Sequence, residues 1–303
     1  MRALVAILAA LPLAVPQCHG APSRTARCTD TNPRIEITGP QDVRDQPVPA
    51  DTTLRARGAT WIGNEDYPVG LLGRDTGACV VGGTIFGTWP DSDRWSKWHY
   101  RGALRFSQPG FSVIDVHVVN TGDGVKPKDH AGGAAQDFWI SGSWIQHAHD
   151  DCLENDYLHT GVIQDNLFDG CYVMFSARPS KTLDGRDNVM VIDRNVGSLE
   201  PMRSVYKGSS PGTGGFFKWS SRPPKVVLTN NVFMAVQPPN HGTLDPPPST
   251  LACSGNVIVW LGQGVFPNAS AWLSECPDTV ITTDASRYSE ARSAWLSAHP
   301  QVG

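Results

Sequence analysis

Apolar residues come in short runs along most of the chain, each broken by Gly, Pro, Asn or Asp. From residue 80 onward the runs share one local order: apolar residues, two polar or small residues, a polar anchor, then apolar residues again. The runs lie at 80–86, 113–119, 139–145, 162–168, 191–196, 227–233 and 252–258. Their anchors are Thr84, His117, Ser143, Asn166, Asn195, Asn231 and Asn256, spaced 33, 26, 23, 29, 36 and 25 residues apart. Runs this short, bounded by turn residues, predict strands rather than helices. A repeat in the twenties, with occasional longer gaps, predicts a stacked parallel β-solenoid whose insertions emerge as loops. A recurring Asn suits such a coil, because Asn tolerates left-handed backbone and can bond to the Asn of the next coil. A β-sandwich also spaces strands evenly, but it does not require the same polar anchor in each. The fold class expected is therefore all-β, a parallel β-helix.

Helical periodicity is confined to the C-terminus. From Asp284 the chain places Tyr288, Ala291, Trp295 and Leu296 on one face, with Asp284 or Ser286 as cap. This short helix is expected to cover the open end of the solenoid or one of its sides. Residues 28–58 are polar and Pro-rich, fitting a cap and leading strands. Residues 88–100 form an insertion with three Trp and a Tyr, rings that either stack on sugars or pack onto the solenoid. A second insertion, 237–249, carries five prolines and reads as a plain loop.

The first 20 residues read as a signal peptide: Arg2, an apolar run from Leu4 to Val15, then small residues around Gly20. A lipid-anchor signal at Cys18 has a poor lead-in in Val15-Pro16-Gln17. The remainder, 21–303, is expected to be one domain. Six cysteines remain after cleavage, an even number that suits disulfides in an exported protein. Six allow 15 pairings; nearest-neighbour pairing gives Cys28–Cys79, Cys152–Cys171 and Cys253–Cys276, and buried thiols are the alternative. There is no C-x-x-C zinc spacing. A net charge of −4 without a Lys/Arg run argues against nucleic acid. No second apolar run could span a membrane, and a monomer acting outside the cytoplasm is expected. Asn268-Ala269-Ser270 is a glycosylation sequon with meaning only in a eukaryote.

Residues 147–156 hold four carboxylates and two imidazoles. Such a stretch can be an acidic surface turn or a calcium loop. Its place in the repeat gives it another meaning. Aligning Cys152 with Cys171 stacks Asp123, Asp151 and Gly170 in consecutive coils, about 4.8 Å apart. Asp123, Asp150 and Asp151 then converge on the outer face, where like charge raises a carboxyl pKa.

The segment Asn120-Thr121-x-Asp123-Gly124, followed one coil later by Asp150-Asp151-Cys152, resembles the polygalacturonase family of inverting glycoside hydrolases. That family belongs to the pectin lyase-like right-handed parallel β-helices. The resemblance covers roughly residues 115–175. It implies Asp150 as general acid, with Asp123 and Asp151 activating water, and an acid–base separation of about 6.5–9.5 Å. The chain departs from the family pattern. Gly122 is inserted, Asp169-Gly170-Cys171 stands where Gly-His-Gly would, and Arg-x-Lys is absent, although Lys218 could supply a lysine on the same face. Sugar chemistry is therefore expected, without pectin as the implied substrate.

Lys126, Lys128, His149, Glu154, Asp156, Arg178 and Lys218 are the expected substrate-binding residues, and their cations suit an acidic polysaccharide. His147 and His159 could also bond sugar hydroxyls. A hydrolase of this kind needs no cofactor. A polysaccharide lyase is the alternative enzyme, with Ca²⁺ held by Asp150, Asp151, Glu154 and Asp156 and with Lys126, Arg178 or Lys218 as base. A non-catalytic, glycan-binding solenoid is the alternative outside enzymes.

Overall fold

The structure is a computed structural model that describes residues 28, 32–42, 46–63, 67–71, 77–93, 95–128, 137–179, 182–202, 211–219, 221–240 and 242–302. The expected signal peptide at 1–20 lies outside them.

The described residues are mostly β, with 44% strand and 10% helix. Two large sheets hold nine and 14 strands, and every strand pairing within them is parallel. Strand order follows chain order. In the smaller sheet, Ser112–Ile114, Phe138–Ser141, Gly161–Gln164, Val189–Asp193, Lys225–Thr229 and Thr250–Ser254 are successive neighbours. The larger sheet repeats this with His117–Thr121, Trp144–Glu154, Leu167–Ala177, Val196–Leu199, Val232–Ala235 and Val257–Trp260. Each coil thus gives one strand to the smaller sheet and at least one to the larger, an arrangement consistent with a β-helix. Short parallel strands need their interior faces filled, and Ile85, Val118, Ile145, Phe168, Phe233 and Ile258 do this as buried members of one continuous core.

The anchors form a ladder, though shifted at one end. Asn166, Asn195, Asn231 and Asn256 are fully buried. The side-chain oxygen of each Asn from 195 on accepts both the backbone N–H and the side-chain N–H of the Asn before it, at 2.9–3.1 Å. Ser143 joins through its backbone N–H to Asn166 Oδ1, 3.1 Å. Thr84 and His117 do not belong to this column. Their register partner in the next coil is Trp144, so Val116 stands in the ladder position. The left-handed backbone falls one residue before the ladder, at Gly82, Asp115, Gly142, Asp165, Arg194, Asn230 and Gly255. The two duties assigned to one Asn are therefore divided between neighbours: the first residue turns the corner and the second binds the next coil.

A second corner follows in the middle coils. Asn120, His147 and Gly170 again take positive φ, and the chain continues into a third run of strands. That run consists of Gly102–Phe106, Asp123–Pro127, the distal half of Trp144–Glu154, the distal half of Leu167–Ala177 and Gly215–Trp219.

All three disulfides pair as nearest neighbours, with Cα–Cα distances of 5.5, 5.6 and 5.2 Å for Cys28–Cys79, Cys152–Cys171 and Cys253–Cys276. They fit an oxidising environment. Among the described residues, no helix is long and apolar enough to cross a membrane. The C-terminal helix Ser286–Ala298 buries Tyr288 and Trp295 against Leu167, Val196, Val257 and Val259. It covers the side of the larger sheet rather than an open end; its N-cap position is Ala285, neither of the expected residues, although Asp284 Oδ1 accepts the Ser286 N–H at 3.0 Å. The proline-rich insertion is not a plain loop. Leu244 is fully buried in the core, and its carbonyl accepts the Trp272 indole N–H at 2.6 Å.

Candidate active site

The acidic residues lie where the second corner feeds the third run of strands. Val125 pairs with Leu153, which sets Asp123 opposite Asp151 as the coil alignment predicts. Oδ1 of Asp123 accepts the Asp151 backbone N–H at 3.3 Å. Gly170 does not continue this stack. Ala148 pairs with Cys171 but Asp151 pairs with Val173, so Trp144–Glu154 carries one more residue than its neighbour between those pairs. This bulge gives room for two consecutive aspartates to turn toward one site, as bulges do near functional sites. Cys152 and Cys171 are thus bonded across an irregular register rather than a matched rung.

Gly122, the insertion in the motif, has a steric reason. A Cβ there would lie 1.9 Å from the Trp98 carbonyl oxygen and 2.1 Å from that of Arg101. The Trp-rich insertion passes directly over this residue. Its rings mostly pack down: Trp95 and Trp98 are buried, Trp95 stacked on His99 and Trp98 on His149 at 3.8 Å and 6°. Tyr100 remains exposed.

Asp123, Asp150 and Asp151 are all buried, and each is held by a different donor. Asp123 Oδ2 accepts the Tyr67 hydroxyl at 2.8 Å. Burial, reinforced by the Asp123 charge, holds the Tyr67 pKa well above its usual value, so it remains the donor. Asp150 Oδ2 lies 2.7 Å from His99 Nδ1. Asp151 Oδ2 accepts Lys218 Nζ at 2.6 Å, and the same ammonium lies 4.0 Å from Asp150 Oδ1. Lys126 Nζ bonds Glu154 and lies 3.6 Å from Asp123 Oδ2. The outward column Arg105, Lys126, Glu154, Ser176, Lys218 comes from adjacent strands. Small Ser176 leaves room for Lys218 to reach back to the aspartates.

These surroundings drive the two aspartates apart. Burial alone would raise Asp150, but Lys218 and the His99 hydrogen bond outweigh it and hold its pKa below the usual carboxylate value. Burial dominates at Asp151: despite Lys218, and with Asp150 and Asp123 adding like charge, its pKa is pushed well above normal. Its Oδ1 is buried with no hydrogen-bond partner among the described residues, which leaves it poorly solvated in the charged form. Glu154 is likewise raised, by burial and by Asp123. The expected order, with Asp150 as the raised member, is therefore reversed. The reason is that the like-charge argument omitted two donors, the Lys218 ammonium and the His99 ring nitrogen, and both reach Asp150.

Oxygens of Asp123, Asp151 and Glu154 lie within 4.8 Å of one another, closer than the separation expected for an acid and base that admit a water between them. Glu154 also lines a cavity of about 360 Å³, together with His99, Tyr100, Lys126, Asp156, Tyr157, Pro179 and Leu183; Asp123, Asp150 and Asp151 are not among its lining residues, and Asp150 meets it through His99.

Of the other expected contacts, Lys126, Glu154 and Asp156 line this cavity. Asp156 Oδ1 accepts Ser176 Oγ at 2.6 Å and the Arg178 N–H at 2.7 Å, while the Arg178 side chain is exposed. Lys218 stands behind the cavity on the aspartates. Lys128 offers its carbonyl to His159 Nε2 at 2.9 Å, and His159 is buried, a structural role. His149 is buried on Trp98 with its pKa pushed down to about 3, chiefly by burial. His147 is raised by its hydrogen bond to Glu200. Both lie on the Asp91 side of the strand rather than in the cavity lining. His99, Tyr67 and Tyr157 were not foreseen. The His99 signal was present in the aromatic insertion; Tyr67 has none, because it arrives from two coils away.

Comparison of the chain with models of known families, with curated proteins and with solved structures returns no match.

Proposed function

We propose that the protein is an exported glycoside hydrolase acting on a polysaccharide, built on a right-handed parallel β-helix of the pectin lyase-like kind. One observation carries this reading: two adjacent buried carboxyls have unlike partners, Asp150 meeting both Lys218 and the cavity-lining His99 and Asp151 meeting Lys218 alone, and their pKa values shift in opposite directions. Paired carboxyls separated in this way are the mark of an acid and a base sharing one site. Asp151, its pKa raised, is the general acid toward the glycosidic oxygen, with burial and the neighbouring Asp150 and Asp123 charges favouring its protonated form. Asp150, ionised, is the base. It orients His99, and the two together take a proton from the attacking water on the far side of the bond, which inverts the anomeric carbon.

The two lysines bear on the substrate and on calcium. Lys126 and Lys218 each lie between two acidic side chains of the site, which already serve as their partners. A neutral glycan therefore fits the cavity better than an acidic one, and the ammonium groups take the positions a calcium ion would need. The cavity aromatics Tyr100 and Tyr157 offer faces for sugar rings.

A lyase is the second reading, favoured by the His99–Asp150 pair at the cavity wall, which is also the arrangement of an oriented imidazole base. The test is a panel of neutral and acidic polysaccharides incubated with the protein. New reducing ends without ultraviolet absorbance, and an inverted anomer at early times by NMR, are the expected result. A conjugated double bond in the product would replace the hydrolase by the lyase. Binding without any breakdown would replace both by a glycan-binding protein.

A further inference from the structure

A second cluster of ligating side chains lies on the other side of the Trp-rich insertion and is used by neither reaction above. His147 and His149 are two residues apart on the strand Trp144–Glu154, and His147 takes positive φ at the second corner. Their rings meet edge to face, with centroids 4.7 Å apart at 81°. Asp91, from the insertion, comes down between them. Its Oδ1 is 3.2 Å from His147 Nε2 and 3.9 Å from His149 Nε2, and ligand atoms of all three residues lie within 4.8 Å of one another.

We propose that Asp91, His147 and His149 form a binding site for a zinc-class divalent transition metal. Two imidazole nitrogens and one carboxylate oxygen are the donor set that zinc takes, at about 2.0–2.2 Å from each. Tetrahedral donors at that range are spaced about 3.3 Å apart. The Asp91–His147 distance already matches, and the Asp91–His149 distance needs closure by roughly 0.6 Å, within the reach of a single rotation of the exposed Asp91 side chain. The outer contacts also suit a metal. Glu200 Oε2 accepts the His147 Nδ1 proton at 2.8 Å, which leaves Nε2 as the coordinating nitrogen and fixes its direction. Trp98 stacked on His149 fixes that ring. His149 Nε2 now donates to Asn120 Oδ1 at 2.8 Å, and metal binding exchanges that proton for the ion. Among the described residues, the ion-pairing partners of Asp91 are the two histidines themselves.

The consequence is mechanical. Asp91 and His99 belong to one insertion, so the metal would fasten that insertion to the strand carrying Asp150 and Asp151. His99 would then be held in place at the cavity wall. The proposal does not depend on the reaction catalysed in that cavity.

The experiment uses full-length, untagged, chelator-treated protein titrated with Zn²⁺ by calorimetry and with Co²⁺ by visible absorption. Wild type should take up one equivalent, give the intense bands of four-coordinate Co²⁺, quench tryptophan fluorescence through Trp98 and melt at a higher temperature with Zn²⁺. Asp91→Asn, on an exposed residue (its side chain is 70% exposed), should fold normally and weaken binding at least tenfold. His147→Gln should do the same, and Glu200→Gln should weaken binding by about 10–100-fold as an outer contact. Absence of saturable binding by wild type, or equal affinity in wild type, Asp91→Asn and His147→Gln, would overturn the site. Retained binding in Asp91→Asn alone, with loss in His147→Gln, would remove the insertion from the ligand set and with it the fastening role.

Discussion

At the scale of single residues, the site is decided by which donor reaches which carboxyl. Lys218 reaches both aspartates; at Asp150 it acts together with the His99 hydrogen bond and outweighs burial, whereas at Asp151 burial and the neighbouring Asp150 and Asp123 charges prevail. Asp151→Asn should therefore lower turnover of an ordinary glycan by about 10²–10⁴-fold. The loss should be much smaller on an aryl glycoside whose leaving group needs no proton. Asp150→Asn should lower turnover of both substrates by a similar factor, because water activation precedes either departure. Steady-state rates on the two substrates check this, and an equal response in the two variants would refute the assigned roles. Gly122→Ala should destabilise by about 1–3 kcal/mol, as overpacking does, because the backbone of the insertion must lift off its new Cβ. Chemical denaturation measures the cost, and His99 displaced with the insertion should lower activity further.

At the scale of elements, the asparagine column holds neighbouring coils together where strand pairing is interrupted by corners. Asn195 makes four such bonds: its Oδ1 receives two N–H groups of Asn166, and its Nδ2 reaches the Ile163 carbonyl and Asn231 Oδ1. Asn195→Leu leaves several of these partners buried and unpaired, at about 1–3 kcal/mol each. A total loss of roughly 3–5 kcal/mol is expected by denaturant titration. Thr84→Val, outside the column, should cost less than about 1 kcal/mol. Similar costs at both positions would mean that the column is not what joins the coils. The bulge in Trp144–Glu154 is the other decisive element, since without its extra residue Asp150 and Asp151 could not both turn toward the same lysine.

At the scale of the whole molecule, the buried cluster makes stability depend on pH. Asp151 and Glu154 have folded pKa values above their unfolded ones. The folded state then binds more protons, and stability contributed by these groups is lost as pH rises from about 4 through the folded values. Asp150 has the opposite sign: its contribution is present above about 4 and fades in more acidic solution. The melting temperature should accordingly peak in mild acid and decline toward neutral pH. Asp151→Asn should flatten that decline, because Asn carries no proton to lose. Thermal scans between pH 4 and 8 check the prediction, and a wild-type melting temperature that rises steadily through this range would contradict it.

Repetition is what made the fold legible in the sequence. A coil that stacks on itself must present the same apolar and polar positions each time, so Ser143, Asn166, Asn195, Asn231 and Asn256 reveal their column by spacing alone. The Cys152–Cys171 bond was legible only in part: the two residues do lie on neighbouring coils, but across a bulge rather than on matching positions. Asp123 opposite Asp151 was readable from the repeat too. What broke the repeat was not readable. The shifted position of Thr84 and His117, the bulge after Ala148 and the αL residue preceding each ladder Asn all depend on local backbone choices that apolar spacing leaves open. Tyr67 and His99 reach the aspartates from 56 and 51 residues away, and Lys218 from 67. Their charges and hydrogen bonds determine which aspartate holds a proton. The sequence by itself determined which carboxyls would meet; only the tertiary structure decided their partners, because proton affinity depends on distance in space and on burial, neither of which is periodic along the chain.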